Sequence, residues 1–186
     1  MKKLLVVESP TKARTLKRLL GKDFEVLATK GHIMDLPVKK LGVDIEHGFA
    51  PRYVLVKGKA KLVKEIQQAA AKSNDVFIGS DPDREGEAIA YHIAQKIKEK
   101  VDIEPHRVLF YEITREEVLR ALRESNSIDM KKVSAQMARR ILDRLVGYQV
   151  SPLLWKSIHR GLSAGRVQTP VLGWIIERCR EARKKK

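Results

Sequence analysis

Two short apolar runs, each followed by carboxylates and a helix signal, constrain the fold of this chain more than any other feature. Residues 4–7 (LLVV) and 76–79 (VFIG) have the composition of buried strands. After the first run, Glu8 precedes a Ser-Pro pair, which is typical of a helix start. The second run leads into the acidic segment 80–87 (SDPDREGE). Buried strands that alternate with helices predict a mostly parallel sheet with helices on both faces.

The same alternation continues to about residue 125. Strands are expected at residues 4–7, 24–29, 53–56, 75–79 and 107–111, and helices at residues 10–20, 60–72, 85–98 and 115–125. Beyond residue 126 only helical periodicity remains, with helices expected near residues 131–148, 152–159, and from Ala164 or Thr169 to about 183. We therefore expect an α/β domain over residues 1–125 and a smaller, mainly α-helical domain over residues 126–186.

Charge indicates the class of partner. The formal net charge of the 186 residues is +15 and the pI is near 10.0, which implies a polyanion, with nucleic acid as the first candidate. Residues 126–186 hold 14 Lys or Arg against 4 Asp or Glu, so the polyanion is expected on the second domain. Cys179 is the only cysteine and is expected to pack as a thiol in an apolar helical stripe. No stretch has the ~20 apolar residues of a membrane span, so we expect no membrane partner and a cytoplasmic location.

The acidic segment after the second run predicts a divalent metal site. Asp81 and Asp83 are two residues apart and would point the same way in an extended segment, while Glu85 would turn in from the following helix. Such hard oxygen ligands suit Mg²⁺. A calcium loop fits less well, because its ninth and twelfth positions are Ile89 and His92. An acidic helix N-terminus without metal is the remaining alternative.

One helical face of the second domain has the residue types of a single-strand groove. Arg140, Arg144 and Tyr148 are spaced at i, i+4 and i+8, which places two guanidinium groups and an aromatic ring in line. Such a face grips phosphates and stacks unpaired bases. A solvated face, in which one arginine pairs with Asp143, is the alternative.

Several segments together resemble the N-terminal part of the type IA DNA topoisomerases. The matching segments are residues 7–13 (VESPTKA), 31–37 (GHIMDLP), 80–90 (SDPDREGEAIA), 112–114 (EIT), 135–144 (AQMARRILDR) and 161–168 (GLSAGRVQ). They occur in the family's order, and the first four belong to its Toprim domain. The resemblance implies ATP-independent breakage, passage and rejoining of single-stranded DNA with Mg²⁺, and the chain accordingly has no P-loop pattern.

The resemblance also implies roles for individual residues. Glu8 would donate a proton to the departing 3′ oxygen and is a further possible metal ligand, and Lys12 would stabilise charge on the scissile phosphate. Arg84 is implied as a further catalytic residue. Asp81, Asp83 and Glu85 would hold Mg²⁺. The residues implied in DNA binding are Arg139, Arg140, Asp143, Arg144, Tyr148, Ser163, Gly165, Arg166 and Gln168.

The nucleophilic tyrosine that the family requires is not recognisable in this sequence. It should lie in a Tyr-x-Arg-Thr-like motif, and none of the chain's tyrosines does: Tyr53, Tyr91, Tyr111 and Tyr148. We therefore expect a truncated or split enzyme whose tyrosine-bearing portion is a separate partner, and no relaxation of supercoils by this chain alone. The alternatives are a free-standing Toprim nuclease, the topoisomerase module of a reverse gyrase, and a non-catalytic module that binds single-stranded DNA.

Overall fold

A computed structural model describes residues 2–184. In chain order its strands are β1 (Lys2–Val7), β2 (Phe24–Ala28), β3 (Met34–Asp35), β4 (Val43–Asp44), β5 (Ala50–Pro51), β6 (Val54–Leu55), β7 (Ser73–Gly79) and β8 (His106–Arg107). Its helices are α1 (Pro10–Leu20), α2 (Ala60–Ala70), α3 (Arg84–Lys98), α4 (Arg115–Arg123), α5 (Met130–Ser157) and α6 (Gln168–Lys184). None of these helices is both long enough and apolar enough to cross a membrane.

A four-stranded parallel sheet organises the first part of the chain. Its strand order is β2-β1-β7-β8, so β1 lies between β2 and β7. Val7 pairs with Ala28 on one side and with Gly79 on the other. The predicted mostly parallel sheet is therefore confirmed.

Helices cover both faces of this sheet, as predicted. Because successive side chains of a strand point to opposite faces, Leu4 and Leu5 enter different cores. Leu4 packs with residues of α2 and α3, and Leu5 packs with residues of α1 and α4. The predicted start of α1 is also confirmed: the Ser9 hydroxyl accepts a hydrogen bond of 3.3 Å from the Thr11 amide, and Pro10 is the first helical residue.

Two predicted strands differ from the structure. The strand predicted at residues 107–111 is only the two-residue β8, because the chain leaves the sheet after Val108 and packs the Phe110 ring against Gly79. The strand predicted at residues 53–56 is β6, which pairs with β3 in a separate antiparallel ladder.

The two helices predicted around Pro152 form the continuous helix α5. A proline removes one hydrogen-bond donor, and this loss alone need not end a helix whose flanking turns are intact.

The packing predicted for Cys179 also differs from the structure. Cys179 is exposed, and no residue of the surrounding helix α6 is buried.

Contacts divide the chain into two compact units. The first comprises residues 1–35 and 53–136, and the second comprises residues 36–52 and 137–186. This division assigns the segment with β4 and β5 to the second unit and the first turns of α5 to the first unit. The domain boundary near residue 126 differs from it and stays a prediction from the sequence.

A buried histidine of the first unit lacks hydrogen bonds. His92 is 6% exposed, and neither ring nitrogen has a partner within the described residues. The ring centroid lies 4.6 Å from that of Tyr53 and 5.6 Å from that of Tyr91. Burial lowers the pKa of His92 to about 4, with smaller contributions from His32 and Lys96, while Asp35 raises it.

This burial predicts a loss of stability in mild acid. Because the ordinary pKa of histidine is near 6.5, the unfolded chain binds more protons than the folded chain as the pH falls below that value. We expect His92 to reduce the free energy of unfolding by about 2 kcal/mol between pH 7 and pH 5. The comparison of urea unfolding for the wild type and His92→Phe measures this difference. The exposed-site control His159→Gln should keep the wild-type dependence of the free energy of unfolding on pH. If His92→Phe also kept the wild-type dependence, the assignment to His92 would be wrong.

Candidate functional site

The tips of the two central strands form one cavity in the first unit. Because β1 and β7 are paired, Glu8 and Asp81 follow neighbouring strands and line the same cavity of about 320 Å³. The order of the strands also reverses here, since β2 is added on one side of β1 and β7 later on the other side. Such a switch point is where α/β sheets bind ligands. The remaining lining residues are Ser9, Pro10, Lys12, Lys30 and Gly31.

Glu8 has the proton affinity expected of an acid catalyst. Burial raises the pKa of its carboxyl, and the charges of Asp81 and Glu85 raise it further, while His32 and Lys12 lower it. In the structure, burial is the largest cause, because the strand tip withdraws the carboxyl from water.

Lys12 lies beside Asp81. The Ser-Pro start of α1 places Lys12 in the first helical turn, where its ammonium donates a hydrogen bond to Asp81 Oδ1. The two side chains are 36% and 47% exposed, so both remain open to a ligand. A positive charge is therefore fixed at the rim of the cavity that contains Glu8.

The three carboxylates predicted to hold metal point to different partners. Asp83 is the N-cap of α3, and its Oδ1 accepts a hydrogen bond of 2.7 Å from the Gly86 amide. Glu85 Oε1 lies 2.9 Å from Nε2 of His32, while Asp81 contacts Lys12. The common direction expected for Asp81 and Asp83 is not observed, because α3 begins immediately after Asp83 and recruits its side chain as a cap.

The oxygen ligands of the acidic segment 80–87, called the acidic run below, nevertheless suit Mg²⁺. Among residues 2–184 no three His, Cys, Asp or Glu side chains are grouped as a ready-made metal site. Mg²⁺ keeps most of its waters and often takes only one or two carboxylates. The side chains of Asp81 and Glu85 are 47% and 58% exposed, and both raise the pKa of Glu8, so negative charge is concentrated at the cavity. These oxygens fit a magnesium ion bound largely through water.

Buried Arg107 holds the backbone of the acidic run in place. This residue was not identified as functional from the sequence. Its side chain is 1% exposed and donates hydrogen bonds to the carbonyl oxygens of Ser80 (2.9 Å) and Asp81 (2.7 Å). Its Nε also donates to Glu87 Oε2 at 3.0 Å, and the other carboxylate oxygen of Glu87 accepts from the Asp129 amide at 2.8 Å. An arginine at the start of an apolar run and a glutamate within an apolar helix were the available signal, since charges buried among such residues are normally paired.

The second unit contains a larger cavity, of about 660 Å³, along one face of α5. It collects five of the residues implied in DNA binding: Arg140, Asp143, Arg144, Tyr148 and Ser163. Trp155 also lines it, and the indole Nε1 donates to the Leu162 carbonyl at 2.6 Å. Trp155 was not identified from the sequence, although it lies seven residues after Tyr148 and thus on the same helical face. Two aromatic rings and two arginines therefore border this cavity.

Arg144 and Tyr148 are also held by the backbone of residues 36–40. Arg144 donates to the Pro37 carbonyl at 2.7 Å, and the Tyr148 hydroxyl donates to the Val38 carbonyl at 2.6 Å. The guanidinium of Arg144 lies 5.1 Å from the centroid of the Tyr148 ring. The alternative of a solvated arginine paired with Asp143 therefore does not describe Arg144.

The other implied DNA-binding residues form a polar network beside the cavity. Asp143 accepts a hydrogen bond of 2.8 Å from Arg166 and lies 3.8 Å from Arg139. Gln168 donates to the Ser163 carbonyl at 2.9 Å, and Gly165 donates to the Thr169 hydroxyl at 3.1 Å. The structure thus brings the implied residues of the second unit together. It also places Arg84, exposed, at the first position of α3 in the first unit.

Comparison with known proteins identifies both parts of the chain. Residues 3–113 match the family model of the Toprim domain, and residues 127–186 match that of DNA topoisomerase. The chain is similar to full-length topoisomerase I from Thermotoga maritima, with 49% sequence identity and a TM-score of 0.87. The match covers 96% of this chain and 30% of that protein, and it confirms the resemblance read from the motifs. The chain therefore belongs to the Toprim domain family and carries, after that domain, sequence of the DNA topoisomerase family.

Proposed function

We propose that this chain is the Toprim and helical part of a type IA DNA topoisomerase, which binds single-stranded DNA and contributes the acid, the cation and the metal ligands of strand cleavage. One observation carries the proposal. Glu8, with a raised pKa, lines the same cavity as Lys12 and Asp81 at the switch point of the sheet. Phosphodiester transfer needs a proton donor for the leaving oxygen and positive charge near the phosphate, and this cavity has a proton donor beside a fixed cation and acidic metal ligands.

In the proposed reaction the oxygen of a deprotonated tyrosine attacks the phosphorus of a DNA phosphodiester, and the bond from phosphorus to the 3′ oxygen breaks. Glu8, whose raised pKa favours the protonated form, transfers its proton to the departing 3′ oxygen and takes it back during rejoining. Lys12, with Arg84, counters the negative charge on the phosphate oxygens. Asp81 and Glu85, with the free oxygen of Asp83, would hold Mg²⁺, which supplies further charge neutralisation at the phosphate.

The nucleophile is proposed to come from outside this chain. Each of the four tyrosines lacks the Arg-Thr sequence expected at the second and third following positions. The chain therefore binds the DNA strand, and a tyrosine-bearing partner portion completes the reaction.

The cavity of the second unit is proposed to hold unpaired bases. The arginines supply contacts to phosphates, and the rings of Tyr148 and Trp155 supply stacking surfaces that exist for every base. Base stacking requires unpaired bases, so the proposal specifies single-stranded rather than duplex DNA.

The purified chain provides the test. We expect it to bind a labelled single strand more tightly than a duplex of equal length, and to leave supercoiled plasmid unrelaxed with Mg²⁺. Arg140→Ala should weaken single-strand binding by on the order of tenfold and reduce the salt dependence, whereas Arg178→Ala on α6 should not. Anisotropy titrations at several salt concentrations measure both effects.

Three results would contradict the proposal. Efficient relaxation by the chain alone would show that the nucleophile is present after all. Nicks with free ends and no covalent DNA adduct would favour a metal-dependent nuclease. If Arg140→Ala and the wild type bound the single strand with equal affinity, the cavity of the second unit would not have the assigned role.

A further inference from the structure

Half of the residues that line a second cavity of the first unit, about 350 Å³ in volume, are lysines. We call it the lysine cavity, and its cationic members are Lys30, Lys57, Lys59 and Lys61. Glu65 is the acidic residue of its lining. Within residues 2–184 none of the four lysines forms an ion pair with a carboxylate, in contrast to Lys3, Lys12, Lys96 and Lys98. Four lysines against one glutamate therefore give the lining an excess of positive charge, and no described carboxylate is within ion-pair distance of these lysines.

The fold fixes the wall of the lysine cavity. The Lys59 ammonium donates hydrogen bonds to the carbonyl oxygens of Thr29 (2.7 Å) and Lys30 (2.9 Å). Burial, followed by the charge of Lys30, lowers the pKa of Lys59. Lys59 thus anchors the segment that follows β2, while Lys30, Lys57 and Lys61 have exposed side chains. Three exposed ammonium groups are available to an external anion.

Lys30 connects the lysine cavity to the cavity of Glu8. It lines both of them, and its amide donates a hydrogen bond of 2.8 Å to the Glu8 carbonyl. Its backbone has a φ of 55°, a left-handed conformation that is uncommon for a residue with a side chain. The backbone of Lys30, bonded to the Glu8 carbonyl and to the Lys59 ammonium, therefore places a lysine where the two cavities meet.

We infer that the lysine cavity binds phosphodiesters of the same DNA strand whose scissile phosphate lies at Glu8 and Lys12. This inference rests on the proposed function. A strand that leaves the first cavity past Lys30 meets Lys57 and Lys61 next, and repeated phosphates match repeated ammonium groups. The occupant is a polymer rather than a single anion, because the cations extend from one cavity into the next.

Matched charge removal tests the inference. Lys57→Gln/Lys61→Gln removes two charges from the lysine cavity, and Lys64→Gln/Lys72→Gln removes two from exposed positions of the same unit outside its lining. In anisotropy titrations of a labelled single strand of about 20 nucleotides, the first variant should lose on the order of tenfold in affinity. Its slope of log affinity against log salt should fall by about 1.4, the loss expected for two phosphate contacts. The control variant should stay within about twofold of the wild type.

Lysine footprinting identifies the side chains directly. Acetylation of exposed amines, read by mass spectrometry, should be slowed by the single strand at Lys57 and Lys61 more than at Lys64 and Lys72. Inorganic phosphate at the same concentration of phosphate groups should give no such protection. Equal protection by inorganic phosphate would overturn the assignment to DNA and identify a small-anion site.

The outcomes separate this inference from the proposed function. If the wild type itself fails to bind the single strand, the proposed function is wrong. If the wild type binds but the two double variants lose affinity equally, the proposed function stands and the lysine cavity is not a strand contact.

Discussion

Replacing Arg107 with methionine should reduce the free energy of unfolding by about 3–5 kcal/mol. The guanidinium is almost fully buried and is shared between Glu87 and several carbonyl oxygens, among them those of Ser80 and Asp81. Methionine has a similar length but no donor. The side chain of Glu87, 3% exposed, would keep only its hydrogen bond from the Asp129 amide and would be left as a buried charge without its cation.

Two comparisons separate this effect from an ordinary loss of a salt bridge. Arg120→Met removes an exposed arginine whose partner is Glu117, and it should leave the free energy of unfolding nearly unchanged. The double variant Arg107→Met/Glu87→Leu removes both buried charges and should recover part of the loss. Urea unfolding measures all three variants. If Arg107→Met were no more destabilised than Arg120→Met, the buried network would not hold the acidic run.

Replacing Gly86 with alanine should reduce the free energy of unfolding by about 3 kcal/mol, although alanine is the better helix former by about 1 kcal/mol. A Cβ atom on Gly86 would lie 2.2 Å from the Asp81 carbonyl oxygen and 2.8 Å from the Asp81 nitrogen. Neither is the end of a flexible side chain, so the backbone of the acidic run must move. The clash outweighs the gain in helix propensity, and Asp81 loses its position in the cavity.

The same substitution in open space provides the control for Gly86→Ala. Gly147 lies within α5, and a Cβ atom there would meet nothing within 4 Å. Gly147→Ala should therefore be neutral or stabilising by up to about 1 kcal/mol. Thermal and urea unfolding of both variants give the comparison. A stabilised Gly86→Ala would show that the acidic run yields easily, and the close approach to Asp81 would then have no structural role.

Local signals in the sequence were sufficient to predict the strands and the helix that border the first cavity. The apolar runs of β1 and β7, and the Ser-Pro start of α1, depend on residues close together in the chain. The orientation of Asp83 was not predictable in the same way, because its carboxylate serves the N-terminus of α3 instead of a shared metal direction. A sequence pattern shows which residue types are present. Which of two partners a carboxylate binds depends on the groups that the fold places beside it.

Long-range contacts explain the remaining differences. The shortness of β8 follows from the packing of Phe110 on Gly79, two residues 31 positions apart. Arg107 acquires its role only when β8 lies beside β7. The role of the lysine cavity likewise depends on Lys59 reaching the carbonyl of Thr29, thirty residues away. None of these contacts has a periodicity that a single sequence displays.

The pairing of β1 with β7 also has a consequence for the order of folding. Glu8 and Lys12 belong to the local unit of β1, α1 and β2, but Asp81 joins them only after Val7 pairs with Gly79, across seventy-two residues. Such non-local pairings form slowly, because the intervening chain must be closed first. We therefore expect the first unit to acquire its reactive cavity late, and amide hydrogens at the tips of β1 and β7 to gain protection together.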